Sequence, residues 1–251
     1  MEYIKRIYRD NMGKERFCSF SVSYLETDLW VGIDTAHASY VADIHRVALA
    51  EIQKLRSILD SYISTNQNFQ KSLVPITIES NAPSIAIEMV SASRIANVGP
   101  MATVAGTFAQ HVGMLIKERF KLSEVAVENG GDIYLNVEDE IVMSVFAGQS
   151  PLSEKIGIRI PTAFGELGIC TSAGTVGPSL SFGKADAVMI ACKSTALADA
   201  YATGVANKIQ APDDIEPILE RLENEKDILS AVIICQDKMG IRGEFELEIL
   251  C

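Results

Sequence analysis

The sequence predicts an α+β domain in which helices pack on an antiparallel sheet, and three observations carry that expectation. Polar and apolar residues alternate in "RFCSFSVSYLETDLWVGID" near the start of the chain, as a half-buried hairpin requires, and "ILSAVIICQDKMGIRGEFELEIL" closes the chain with a second hairpin. Four strand-like runs, "EVAVENGGDIYLN", "EIVMSVFAG", "KIGIRIP" and "LGICTSAG", follow one another with no helix between them, which makes antiparallel neighbours of them. The helical patterns come in blocks around these runs, unlike the strand–helix alternation of a doubly wound sheet.

The first hairpin spans Phe17 to Ile33, turning at "ETD". From Tyr40 to Tyr62, Val41, Ile44, Val47, Ile52, Leu55, Ile58, Leu59 and Tyr62 recur at helical spacing and form one long amphipathic helix able to cover a sheet. A polar loop, "STNQNFQKS", and a short extended piece, "PITIES", come next. Asn81 then offers a cap and Pro83 a first-turn proline for a helix through "SIAIEMVSASRIANVG", and Gly99-Pro100 restarts a second helix through "MATVAGTFAQHVGMLIKERF". Turns at Asn129-Gly130, Glu138 to Glu140 and Gly165 divide the four central runs. "ADAVMIAC" adds a strand, "STALADAYATG" opens a helix, "DDIEPILERLEN" forms another, and a hairpin closes the chain. No fixed-period repeat is present, so the expected organisation is a single domain over 1–251, with two fused halves, about 1–122 and 123–251, as the alternative.

With 251 residues, 48% of them hydrophobic and 22% charged, the chain is long enough to bury a substantial core. Its formal net charge of -11 repels nucleic acid and anionic membrane, and the basic runs "YIKRIYRD" and "LIKERFKL" are short and interleaved with acids. Nucleic acid and membrane are therefore not expected as partners. Five scattered cysteines without C-x-x-C spacing point to a reducing compartment and away from a thiolate metal cluster. The first residues lack the apolar core of a signal peptide, and no apolar run reaches the length of a membrane span, so a cytoplasmic location is expected.

Candidate chemistry gathers in three stretches. In "STALADAYATG", Asp199 and Thr203 stand four apart, so a helix presents a carboxylate and a hydroxyl on one face. Such a pair suits magnesium, which takes one or two protein oxygens and completes its shell with water and substrate phosphates. The same pair also suits a tightly packed helix whose acid meets water or a neighbouring N–H. In "ENGGDIYLN", Asn129, Gly130 and Gly131 make a turn close enough for a ligand to approach the backbone, with Asp132 able to accept from a ribose or an adenine amine; a plain hairpin turn has the same signature. "TSAGTVGPSLSFGKADA" is rich in glycine and hydroxyls, so Thr171, Ser172, Thr175, Ser179 and Ser181, with Asp186 at its end, are candidate contacts to a phosphorylated ligand. It is not a P-loop, because Ala185 replaces the required Ser/Thr. His37, His45 and His111 lack helix-ligand spacing, and no G-x-S-x-G elbow accompanies Ser172 or Ser181.

In order and content, "GPMATVAGTFAQ", "ENGGDIYLN", "ICTSAG" and "TALADAYATG" resemble the ApbE-like superfamily, whose better-known members are magnesium-dependent flavin (FMN) transferases. The match covers roughly Gly99 to Asn207 and looks most like the shorter ApbE-related branch. The resemblance implies a T-fold-like α+β architecture with a nucleotide pocket between the sheet, the G-G-D turn and the A-D-A-x-A-T helix. It further implies that Asp199 and Thr203 hold magnesium together with the backbone carbonyl of Ala102, although Thr103 stands at the family's lysine position. Gly130, Gly131 and Asp132 match the G-G-D, and Thr171-Ser172 match the T-S that precedes the substrate loop. Where the transferases carry H-I-I-D-P-x-T-G, this chain has "AGTVGPSLSFGKADAVM". Three functions therefore stay open. The first is a magnesium-dependent enzyme acting on FAD or another nucleotide. The second is a non-catalytic nucleotide- or flavin-binding accessory protein, and the third a hydrolase using Ser172, Ser179 or Ser181. A homodimer is compatible with all three.

Overall fold

The computed structural model describes residues 16–175 and 181–250. Its first hairpin pairs β1 (Phe17–Tyr24) with β2 (Thr27–Asp34). A 3-10 turn over Thr35–Tyr40 leads into α1 (Val41–Thr65), which buries Ile44, Val47, Ala48, Ile52, Leu55 and Leu59 along one stripe, the face its spacing predicts. The polar loop expected next contains a short helix, α2 (Gln67–Lys71), because its one aromatic, Phe69, is fully buried and anchors a turn. "PITIES" joins no sheet. Asn81 does not cap the following helix, α3 (Ser84–Ala96), which starts after Pro83 without a side-chain cap. A 3-10 turn over Pro100–Thr103 precedes α4 (Val104–Phe120).

The strands that follow are β3 (Val125–Asn129), β4 (Asp132–Asn136), β5 (Ile141–Ser144), β6 (Ile156–Ile160), β7 (Leu167–Ser172) and β8 (Ala187–Cys192). After them come α5 (Thr195–Ala206), α6 (Ile215–Leu222), β9 (Ile228–Cys235), β10 (Lys238–Gly243) and β11 (Glu246–Ile249). Eight strands form one sheet in the order β1-β2-β3-β4-β7-β8-β9-β10, antiparallel at every pairing. The order departs from the sequence expectation in one respect. The excursion β5–β6 leaves this sheet and pairs with β11 in a separate three-stranded sheet, so the closing segment is a hairpin plus a strand that crosses to another layer.

The reason lies in the burial of the central strands. Every residue of β8 is buried, as are the last six of β9, so both faces of the sheet need cover. On one face, Leu29, Val31, Ile33 and Tyr134 pack under α1, α3 and α4, while Val188, Ile190 and Ile233 pack under α5 and α6. On the other, the intervening residues Trp30, Ile133, Leu135, Met189, Val232 and Ile234 meet Ile158 and Ile160 of β6 and Phe245. The result is three layers: helices, large sheet, small sheet. Antiparallel pairing also brings the β3–β4 turn, the β7–β8 connection and the β9–β10 turn to one end of the large sheet.

Candidate functional site

The helix α5 is built from small residues and lies almost wholly inside the protein. Ser194 caps it by accepting the Leu197 N–H at 3.4 Å, and the Thr195 N–H donates to Gln110 Oε1 of α4 at 2.6 Å. The two helices meet at Gly106. A Cβ there would stand 2.6 Å from the Thr195 carbonyl oxygen and 2.9 Å from the Asp199 Cβ, so a side chain would force the helices apart.

Asp199 projects into this crossing, 7% exposed, and its Oδ2 accepts the Gly106 N–H at 2.9 Å. The Ala105 N–H also acts on the carboxylate. Both amides belong to the first turn of α4, where a helix leaves its donors without internal acceptors. The acid thus caps α4 from another helix. Burial pushes its pKa up to about 7, and the two backbone hydrogen bonds pull in the opposite direction. Thr203 lies one turn further along α5 and is half-buried. Ala102 sits on the 3-10 turn and packs against the apolar cluster that includes Ala198 and Ala202. The backbone groups that reach Asp199 are the N–H groups of Ala105 and Gly106.

The β3–β4 turn closes on the same place. Gly130 and Gly131 have φ of 70° and 104°, a region that glycine enters without strain. The fully buried Glu128 accepts the Gly131 N–H at 2.7 Å, and the Thr171 N–H donates to the Gly131 carbonyl at 3.1 Å. Asn129 Nδ2 donates to the Ala105 carbonyl at 3.1 Å. Asp132 is buried opposite Cys170 in the β4–β7 register. The Cys170 thiol, wholly enclosed, is pushed well up, first by burial and then by the negative charges of Asp132 and Asp199. Asn129 and Asp199 both reach the Ala105–Gly106 peptide, Gly131 is tied to Thr171, and Asp132 stands opposite Cys170, while Thr203 lies further along α5 and Ser172 ends β7.

The described parts of the glycine-rich loop make contacts on either side. Thr175 Oγ1 donates to Asp186 Oδ1 at 2.8 Å, and Asp186 Oδ2 accepts the Gln236 N–H at 2.6 Å, fastening the loop to the β9–β10 turn. Asn207 Oδ1, just past α5, accepts from the Ser181 hydroxyl at 3.4 Å and from the Phe182 N–H at 2.9 Å. Thr175, Ser181 and Asp186 thus shape the loop. Ser179 lies outside the described residues. His37 pairs with Asp34, His111 with Glu88, and His45 stacks near Phe20, so each imidazole is engaged away from Ser172 and Ser181. Two surface clefts, of about 570 and 230 Å³, lie around α2 and the segment leading to α3, and no residue of the β3–β4 turn or of α5 lines either one.

Glu128, Gln110, Gly106 and Cys170 are site residues that spacing did not single out. Glu128 stands beside the quoted turn, but a buried strand acid is indistinguishable locally from an exposed one. The others become neighbours only through pairing across distant segments.

A family model described as "AbpE bacteria" matches residues 9–241. The chain belongs to this family. Relatives of this AbpE-family chain include a UPF0280 protein of Methanocaldococcus jannaschii, 40% identical over 198 residues, which are 77% of this chain and 80% of the relative. A UPF0280 protein of Methanococcus aeolicus is 37% identical over 227 residues, 89% of each chain. Among solved structures, the apo form of the Pseudomonas stutzeri flavinyl transferase ApbE aligns with a TM-score of 0.61 at 12% identity, covering 90% of this chain and 94% of that one. The ApbE protein of Thermotoga maritima aligns at 0.57 and 10% identity, covering 91% and 97%. The AbpE-family chain therefore has an ApbE-like fold of helices on antiparallel sheet. No helix among the described residues is long and apolar enough to cross a membrane.

Proposed function

We propose that this AbpE-family protein is a magnesium-assisted enzyme acting on a flavin or a related nucleotide, most simply FAD. One observation carries the reading: a buried carboxylate, Asp199, stands where the first turn of α4, the β3–β4 turn and α5 meet. Its burial disfavours the charged form, so a divalent cation is the kind of partner that would stabilise it. Asp199 and Thr203 supply hard oxygen donors, and these fit magnesium better than a softer metal. Among the described residues no group of three or more His, Cys, Asp or Glu is arranged to hold a metal. Oxygens of a bound phosphate and water would complete the shell, as is usual for this ion. When bound, magnesium supplies positive charge to phosphate oxygens.

The chain's own residues do the rest. Gly130 and Gly131, at positive φ, leave the backbone open to a ligand's approach, Asp132 would accept from a sugar or base donor, and the Thr171 and Ser172 hydroxyls would serve phosphate oxygens as neutral donors. Flavin transfer is supported by the likeness to a flavinyl transferase and goes beyond what fold likeness alone carries. Incubation with FAD and magnesium is expected to release AMP or retain flavin, and Asp199→Ala to lower that signal at least tenfold. Neither AMP release nor flavin retention, with Asp199→Ala equal to wild type, removes flavin from the reading. The second reading, binding without turnover, is favoured by the prior engagement of Asp199 Oδ2 with Gly106, and its outcome is magnesium-independent retention with no AMP.

A further inference from the structure

One peptide group in α4 is gripped at both of its polar atoms by residues of the site. Asn129 Nδ2 donates to the Ala105 carbonyl at 3.1 Å, and the N–H of that same peptide unit, on Gly106, donates to Asp199 Oδ2 at 2.9 Å. We propose that Asn129 is a positioning residue, which acts through the Ala105–Gly106 peptide to orient and hold the Asp199 carboxylate rather than by touching the ligand. The inference deepens the reading above and rests on Asp199 being the cation's edge.

The physical basis is the coupling of successive hydrogen bonds. Donation into a carbonyl polarises the amide and makes its N–H a better donor, most of all toward a carboxylate in low dielectric. Three surrounding features make the link stiff. Gly106 lies against the Thr195 carbonyl and the Asp199 Cβ with no room for a side chain, so the peptide cannot drift toward α5. Asn129 is buried as the last residue of β3. Gly131, two residues on, is held by Glu128 through its N–H. A residue whose amide is committed to a main-chain carbonyl inside the protein is poorly placed to recognise a ligand, and well placed to transmit the position of the G-G-D turn to Asp199. Partners of this kind behind a metal ligand are worth about 10- to 100-fold in metal affinity.

The test uses the full chain and magnesium alone, without nucleotide, by calorimetry, together with the amide resonance of Gly106. In the wild type that proton is expected well downfield, as for an N–H donating to a carboxylate, and it moves upfield in Asn129→Leu and in Asn129→Ala while the remaining amides keep their positions. Magnesium binding weakens about tenfold in the same variants. An ordinary Gly106 shift in the wild type overturns the proposal without recourse to any variant. So does unchanged magnesium affinity in both Asn129 variants while Asp199→Asn abolishes binding, and in that case the cation reading survives. If Asp199→Asn binds magnesium like the wild type, the cation reading falls and takes this inference with it.

Discussion

A carboxyl group as enclosed as Asp199 faces a choice between keeping its proton and finding compensation for its charge. Its folded-state pKa of about 7 lies above the ordinary 3.8, so well below pH 3.8 both folded and unfolded chains hold the proton and burial is free of charge cost. As pH rises toward 7, the unfolded chain ionises first and stability is lost; above 7 the full cost is present. Asp199→Asn is therefore expected to melt several degrees above the wild type at pH 8 without metal, with the gap closing toward pH 4, read from thermal melts across that range. A gap independent of pH would show that the acid is compensated in some other way. The spacing of Asp199 and Thr203 was legible in eleven letters of sequence. The Gly106 amide that holds the acid was not, because it comes from 93 residues upstream.

Between elements, the crossing of α4 and α5 depends on the absence of a side chain at Gly106. Alanine is favoured over glycine within a helix by about 1 kcal/mol, so propensity alone predicts that Gly106→Ala stabilises. The obstructing atoms, however, include a main-chain carbonyl oxygen at 2.6 Å, which cannot swing aside as a flexible side chain would. Overpacking of this kind costs roughly 1–3 kcal/mol, so the variant is expected to be net destabilised, and urea unfolding gives the sign. The helices and hairpins were readable from sequence because their periodicity is local: α1 shows its buried stripe in its own letters. α2 was missed because one aromatic, Phe69, decides it. "PITIES" alternates like a strand yet joins no sheet among the described residues, and pairing, not pattern, makes a strand. The departure of β5 and β6 into a second sheet was equally hidden, since alternation does not say which neighbour a strand will choose.

In the molecule as a whole, a strand pair, a block of helices and a second strand pair occur twice, as β1–β4 with α1 to α4 and as β7–β10 with α5 and α6. The β4–β7 pairing joins the two sets into one sheet, and α4 packs on α5 across the join. We expect the halves to unfold together. Fluorescence of Trp30, which sits in the first set, and far-ultraviolet circular dichroism, which reports on both, should then give one coincident transition in denaturant. Separate midpoints would show two units that merely touch. The small sheet adds a constraint of its own. Arg159 of β6 holds Glu248 of β11, 89 residues further along the chain, at 2.5 Å, and Phe245 is buried beside them. During synthesis one edge of β6 stays unpaired until that late strand emerges from the ribosome. A nascent chain carrying that open strand edge through the interval is the form most in need of a chaperone.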